Sequence, residues 1–149
     1  MAQISSRGKS MIKYIILGLG LFASVASAAE LDCSKASNTL DINECAALEL
    51  EGAEKEMQRY LGKSIKQYSF DPAVVDSIKV AQQSWSQYEK SHCDSVYTVW
   101  RDGTIRGAMA LSCQIRLTER RTHELWFEYL SDVETSESLL PEPQVQGAE

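Results

Sequence analysis

The sequence predicts an all-α fold, a small antiparallel three-helix bundle stapled by two disulfides. Three observations predict it. Apolar residues recur at steps of three and four in three long segments, the period of one helical face. No segment shows the two-residue alternation of a half-buried strand. Four cysteines, Cys33, Cys45, Cys93 and Cys113, flank or lie within the periodic segments.

The first segment stands outside the fold. Arg7, Lys9 and Lys13 precede an apolar run from Ile15 to Ala23, and small residues follow to Ala26-Ser27-Ala28. That order of charge, hydrophobe and small residues is the order of a secretory signal peptide, cleaved after Ala28. A single-pass anchor is the rival, but the run is too short for the roughly 30 Å of a hydrocarbon core. Cys33 follows Glu30, Leu31 and Asp32 rather than small residues, which argues against a lipid-bearing cysteine at the cleavage point. The expectation is a periplasmic or secreted protein with no membrane segment in its mature form, in an oxidising compartment.

Residues 29–130 form the expected helical domain. Helix one follows from Ile42, Ala46, Leu50, Ala53, Met57, Tyr60 or Leu61, and Tyr68. Asp41 with Glu44 three residues later offers a capping box, and Thr39 is an alternative cap. The helix should end near Ser69-Phe70-Asp71-Pro72, because proline disfavours helix in the residue before it and suits the first turn of the next. Helix two follows from Val74, Ile78, Ala81, Trp85, Tyr88 and His92. Helix three follows from Ala108, Leu111, Ile115, Thr118, Thr122, Leu125 and Tyr129. Three such stripes cover one another most simply as an antiparallel bundle. Residues 131–149 turn to Ser, Glu, Pro and Gln with five acidic and no basic residues, a composition that predicts a disordered acidic tail.

Four cysteines in an exported domain read as two disulfides, with three connectivities open. Local pairing, Cys33 with Cys45 and Cys93 with Cys113, joins segments that the helices already place together. Each bridge would contribute roughly 3 kcal/mol by restricting the unfolded chain. A zinc site using these cysteines with His92 or His123 is the alternative, but no CxxC or CxxH spacing supports it. No metal and no cofactor are expected.

Without residues 1–28 the chain has 12 basic and 21 acidic residues, a net charge of −9. Such a surface is a poor match for nucleic acid or anionic lipid. Five of those negative charges belong to the tail, so the helical domain carries −4.

A pattern of residues then points to a family. Cys33 and Cys45 flank the start of helix one; Gln82, Trp85 and Tyr88 lead to Cys93; Gly103-Thr104, Cys113, and Thr118 with Arg121 and Leu125 follow. Over Leu31 to Leu125 this resembles the LprI-type lysozyme-inhibitor family of small secreted bacterial proteins. The sequence departs from that family at Glu89, where similar chains tend to have a basic residue, and at Glu54-Lys55-Glu56-Met57, which is looser than the usual helix-one motif. The resemblance implies a helical, disulfide-stapled periplasmic protein, some members of which block lysozyme.

Trp85 and Tyr88 are expected in the core. Arg121 could engage a partner, serve a carboxylate on helix one, or face the helix dipole. His92 and His123 lack a nearby nucleophile or carboxylate constellation, which leaves no catalytic residues to name. Helix-borne carboxylates such as Glu49 and Glu56 are all that an enzyme reading could use. The span from Tyr97 to Gly107 is different: Tyr97, Trp100, Arg101, Asp102 and Arg106 sit in an irregular loop closed at its base by the expected Cys93–Cys113 bridge. Trp and Arg are frequent energetic anchors of interfaces, and a cross-linked loop loses less entropy on binding. The plainer alternative has Trp100 folding back to plug the bundle end. The leading expectation is an inhibitor of a lysozyme-type peptidoglycan hydrolase, occluding its cleft with this loop. The alternatives are an immunity protein against a delivered cell-wall hydrolase and a structural or adaptor protein of the envelope.

Overall fold

The structure, a computed structural model, describes residues 31–131 and 138–145. The expected signal segment, residues 1–28, lies outside the described residues. A 3-10 turn at Cys33–Lys35 leads into three helices: α1 (Thr39–Gln67), α2 (Pro72–Val99) and α3 (Arg106–Tyr129). The two disulfides are Cys33–Cys45 and Cys93–Cys113. All four sulfurs are thereby consumed, and the thiolates that a zinc site would need are gone.

The helix ends show how local sequence sets the boundaries. α1 starts two residues before Asp41, capped by Asn38, whose side-chain oxygen accepts from the backbone N–H of Leu40 and Asp41 at 3.0 Å each. Asn38 caps as well as aspartate does, and its amide donates in turn to Asp41 at 2.6 Å. Asp41 therefore serves in the first turn, where a negative charge suits the helix dipole, rather than as the cap. Asp71 caps α2 through the N–H groups of Ala73 and Val74, with Pro72 in the first turn as expected.

α3 is the central element, and α1 and α2 pack mainly on it rather than on each other. Asn43 lies against Gly107 at one end, and Tyr68 meets Tyr129 edge-on at the other, with ring centroids 6.1 Å apart. These two contacts make α1 and α3 parallel. The Cys93–Cys113 bridge and a hydrogen bond from Arg121 to Gln82 set α2 antiparallel to α3. Met57, Tyr60, Leu125 and Leu130 form a buried cluster, with Leu61, Trp85, Trp126, Tyr129 and Leu140 packed against it. Buried Ser64 and Thr122 donate to the carbonyls of Tyr60 and Thr118 four residues back, so their hydroxyls are satisfied inside the core.

The α3 stripe read from the sequence is buried or half-buried at every position, and that of α1 is so except at Ile42. On α2 the reading needs correction. Tyr88 is 53% exposed and stacks on the exposed His92, and Ala81 is exposed as well. The inward positions after Ile78 are Gln82, Trp85, Glu89 and Cys93. The disulfide is the physical reason: Cys93 must face α3, and stepping back by four, four and three reaches Glu89, Trp85 and Gln82. Apolarity alone selects neighbours one position away.

The C-terminal segment also differs from expectation. Residues 138–145 lie on the bundle rather than in solvent. Ser138 pairs with Ser131, and the N–H of Leu139 donates to the carbonyl of Leu130 at 3.0 Å. The Trp126 indole donates to the carbonyl of Leu140 at 2.9 Å, and the Tyr60 hydroxyl to that of Pro141 at 2.7 Å. Two aromatic groups at the core needed acceptors, and Leu140 supplies apolar surface beside them. Residues 132–137 and 146–149 of the expected tail lie outside the described residues.

Candidate functional site

The α2–α3 connection occupies the end of the bundle beyond the Cys93–Cys113 bridge. α2 closes at Trp100, whose N–H donates to Val96, and Gly103 N–H donates to the carbonyl of Trp100 at 2.8 Å, making a tight turn. Arg106 spans the turn from the far side. It donates to the carbonyl of Arg101 at 2.9 Å, and its guanidinium lies 5.6 Å from the Tyr97 ring centre. The span is irregular only from Trp100 to Ile105: of the five residues named from the sequence, Tyr97 lies in the last turns of α2 and Arg106 opens α3, these two and Arg101 are tied together, and Trp100 and Asp102 stand at the turn.

The loop is unusually apolar on its outside. Tyr97 is 43% exposed, Val99 77%, Trp100 40% and Ile105 39%, so Trp100 does not plug the bundle end. The sequence reading did not single out Val99 or Ile105. Their signal was available in principle, as apolar residues in a solvent-facing connection bounded by a disulfide. The start of α3 is also locally unfavourable. Ile105 stands at the cap position with no side-chain cap, and Arg106 puts a positive charge in the first turn. A good cap is worth about 1 kcal/mol, and a cation there opposes the helix dipole. Local rules broken together occur at functional or strained sites.

An acidic surface adjoins this tip. The contact between Asn43 and Gly107 puts the start of α1 at the same end of the bundle as the loop. From Asp41 to Glu54, α1 carries Asp41, Glu44, Glu49, Glu51 and Glu54 and no basic residue. Leu40, 80% exposed, and Leu48, 53% exposed, add apolar surface.

The remaining candidates fall elsewhere. Arg121 meets neither a carboxylate of helix one nor open solvent. It donates to Gln82 on α2 at 3.0 Å and to Glu124 on its own helix at 3.0 Å, and its Nη2 is buried without a partner. His123 lies 3.0 Å from Glu142 of the C-terminal segment and beside the Trp126 ring. Glu49 and Glu56 line a cavity of about 340 Å³ between α1, α3 and Pro143-Gln144. Arg59 binds the Glu56 carboxylate through two nitrogens, at 2.8 and 2.6 Å, and holds its pKa below the usual glutamate range. Glu56 is therefore no proton donor near neutral pH. Among the described residues no group of three His, Cys, Asp or Glu side chains is arranged to hold a metal ion. No helix of those residues is long and apolar enough to cross a membrane.

Comparison with known proteins places these features in context. A family model described as "Lysozyme inhibitor LprI" matches residues 32–125, which run from the cap of the 3-10 turn to the buried Leu125 of α3. An uncharacterized protein of Rhizobium meliloti (strain 1021) is 26% identical over 110 residues, covering 64% of this chain and 77% of its own. No solved structure matches the chain.

Proposed function

Because the chain belongs to the LprI lysozyme inhibitor family, we propose that it is an exported protein inhibitor of a lysozyme-type peptidoglycan hydrolase, acting in the periplasm. The Tyr97–Gly107 loop enters or covers the hydrolase cleft. Trp100, Tyr97 and Arg101 supply the contacts, Val99 and Ile105 supply apolar area, and Arg106 holds the loop in shape. The observation that carries this reading is the exposed aromatic and apolar tip fastened by the Cys93–Cys113 bridge. A pre-fastened loop pays little ordering entropy on binding, and aromatic anchors dominate interface energies.

The acidic half of α1 supports the same reading from electrostatics. Many lysozymes are basic, so an acidic face beside the tip raises the association rate and orients the encounter. The mature protein should slow lysis of a cell-wall substrate by a c-type lysozyme in a saturable, stoichiometric way. A chain that leaves lysis unchanged at concentrations well above that of the enzyme would reject this function. Pull-down of exported cell-wall hydrolases would then decide between an immunity role against another hydrolase and an adaptor role in the envelope.

A further inference from the structure

We propose that the cleft between α1 and α2 is a second binding site, one that takes a neutral, hydroxyl-rich saccharide. α1 and α2 rest on α3 without closing on each other, leaving a cavity of about 610 Å³ floored by Thr118. That volume lies within the roughly 300–1,000 Å³ of small-molecule sites.

The walls explain why it stays open. Gln82 and Glu89 occupy inward positions of α2, where apolar side chains would have closed the gap, and both are half-buried. Polar residues at core-facing positions cost stability unless they serve a purpose. Gln82 is also held in a set orientation. Its oxygen accepts from Arg121 Nε at 3.0 Å, which turns its NH₂ toward α1, where it meets only the weak thioether acceptor of Met57 at 3.5 Å. The neighbouring Arg121 Nη2 is buried with no acceptor at all. At the cleft itself, the Gln82 amide is therefore left without a strong acceptor.

The composition selects the ligand class. Gln58, Gln82, Gln83 and Gln87 line the cleft with Trp85. Primary amides offer a donor and an acceptor side by side, the pairing that adjacent hydroxyls or an acetamido group satisfy. An indole covers the apolar C–H face of a sugar ring while its polar edge stays wet. Charge is nearly balanced, Glu54 and Glu89 against Lys79, which fits neither a polyanion nor a strongly cationic ligand. The polar lining does not suit a lipid. A peptide adding as a strand would need a sheet edge with free backbone groups, whereas both walls here are helices with their backbone bonds internally satisfied. Glu89 and Val99 are about 15 Å apart along α2, so the cleft is separate from the loop.

Calorimetric titration of the mature protein with tri-N-acetylchitotriose tests the proposal, with a capped hexapeptide as the comparison probe. The expected result is saturable one-to-one binding of the trisaccharide. A Gln83→Ala, Gln87→Ala variant should weaken it by about tenfold or more without changing the melting curve, since both side chains are exposed. Absence of saturable binding, equal affinity in the variant, or tighter binding of the peptide than of the saccharide would each overturn the proposal. The measurement needs no hydrolase, so its outcome stands apart from the inhibitor reading.

Discussion

The Tyr60 hydroxyl donates to the carbonyl of Pro141 at 2.7 Å, joining the core of α1 to a segment 81 residues further along the chain. Tyr60 is 1% exposed, and burial raises its pKa above the ordinary tyrosine value, so the proton that makes this bond is retained. Truncation after Ser131 removes the Pro141 and Leu140 acceptors together with the Leu140 side chain. That should cost about 1–3 kcal/mol or somewhat more, from two lost hydrogen bonds at about 0.5–1.5 kcal/mol each and one lost apolar contact. For a domain of this size the melting temperature should then fall by roughly 5 °C or more. An unchanged melting curve would mean that residues 138–145 contribute nothing to stability. Tyr60→Phe keeps the segment but removes this bond and the 3.3 Å one that the hydroxyl accepts from Arg59, and should cost about 1 kcal/mol.

How much of this was legible depends on what kind of signal each residue carries. The three helices, the proline entry to α2 and both disulfides follow from periodicity and spacing, which act locally. On α2 apolarity points to Tyr88 and His92, which look better suited to a core than Gln82 and Glu89, while the tertiary constraint at Cys93 decides the rotation. The docking of residues 138–145 was hidden for a similar reason. Five acidic residues, no basic ones and no helical period mark residues 131–149 as tail, yet Leu139-Leu140-Pro141 meets donors on Tyr60 and Trp126 whose need for acceptors appears only once the bundle is assembled. That Trp100, Tyr97 and Arg101 sit beside the Cys93–Cys113 bridge could be read in advance, because the bridge and the turn it encloses are local in sequence. The polar cleft could not, since its walls come from helices far apart in sequence.

Glu56 and Arg59 make a prediction about acid. Hydrogen bonding from Arg59 lowers the folded-state pKa of Glu56. A depressed carboxylate contributes stability that is complete above the unfolded glutamate value and is lost as pH falls through the folded one. The two side chains are 45% and 47% exposed, so solvent screening limits the effect to about 0.2–0.5 kcal/mol. Urea unfolding of the parent and of Glu56→Gln should differ by that amount at pH 6 and converge as the pH falls through the lowered folded-state pKa of Glu56. A difference that persists undiminished at low pH would show that the ion pair is not its source.

The acidic half of α1 should act on rate rather than on residence. Glu44→Lys with Glu51→Lys changes the charge of this face by four units at exposed positions. Stopped-flow association with a basic lysozyme should slow by roughly tenfold at low salt, with a much smaller effect at about 0.5 M salt, where screening erases the difference. Dissociation should change little. Slowing that is equal at both ionic strengths would point to lost contact instead of lost steering.

The loop and the core can be separated by two substitutions that look alike in chemistry. Trp100→Ala with Arg101→Ala removes side chains that are exposed and make little of the fold, so helicity and melting should hold. Inhibition should weaken at least about tenfold, equivalent to roughly 1.4 kcal/mol, because an aromatic and an arginine anchor leave the interface together. Trp85→Ala takes a half-buried indole from against the Met57, Tyr60 and Leu125 cluster, and should cost about 3 kcal/mol of stability. Any loss of inhibition there should track the unfolded fraction. Arg106→Ala belongs between the two: it frees the carbonyl of Arg101 and the face of Tyr97, so it should weaken inhibition by loosening a loop whose contact residues are intact. A folded Trp100→Ala, Arg101→Ala protein that inhibits as well as the parent would remove the loop from the interface and direct attention to the acidic face of α1 and the arm around Cys33.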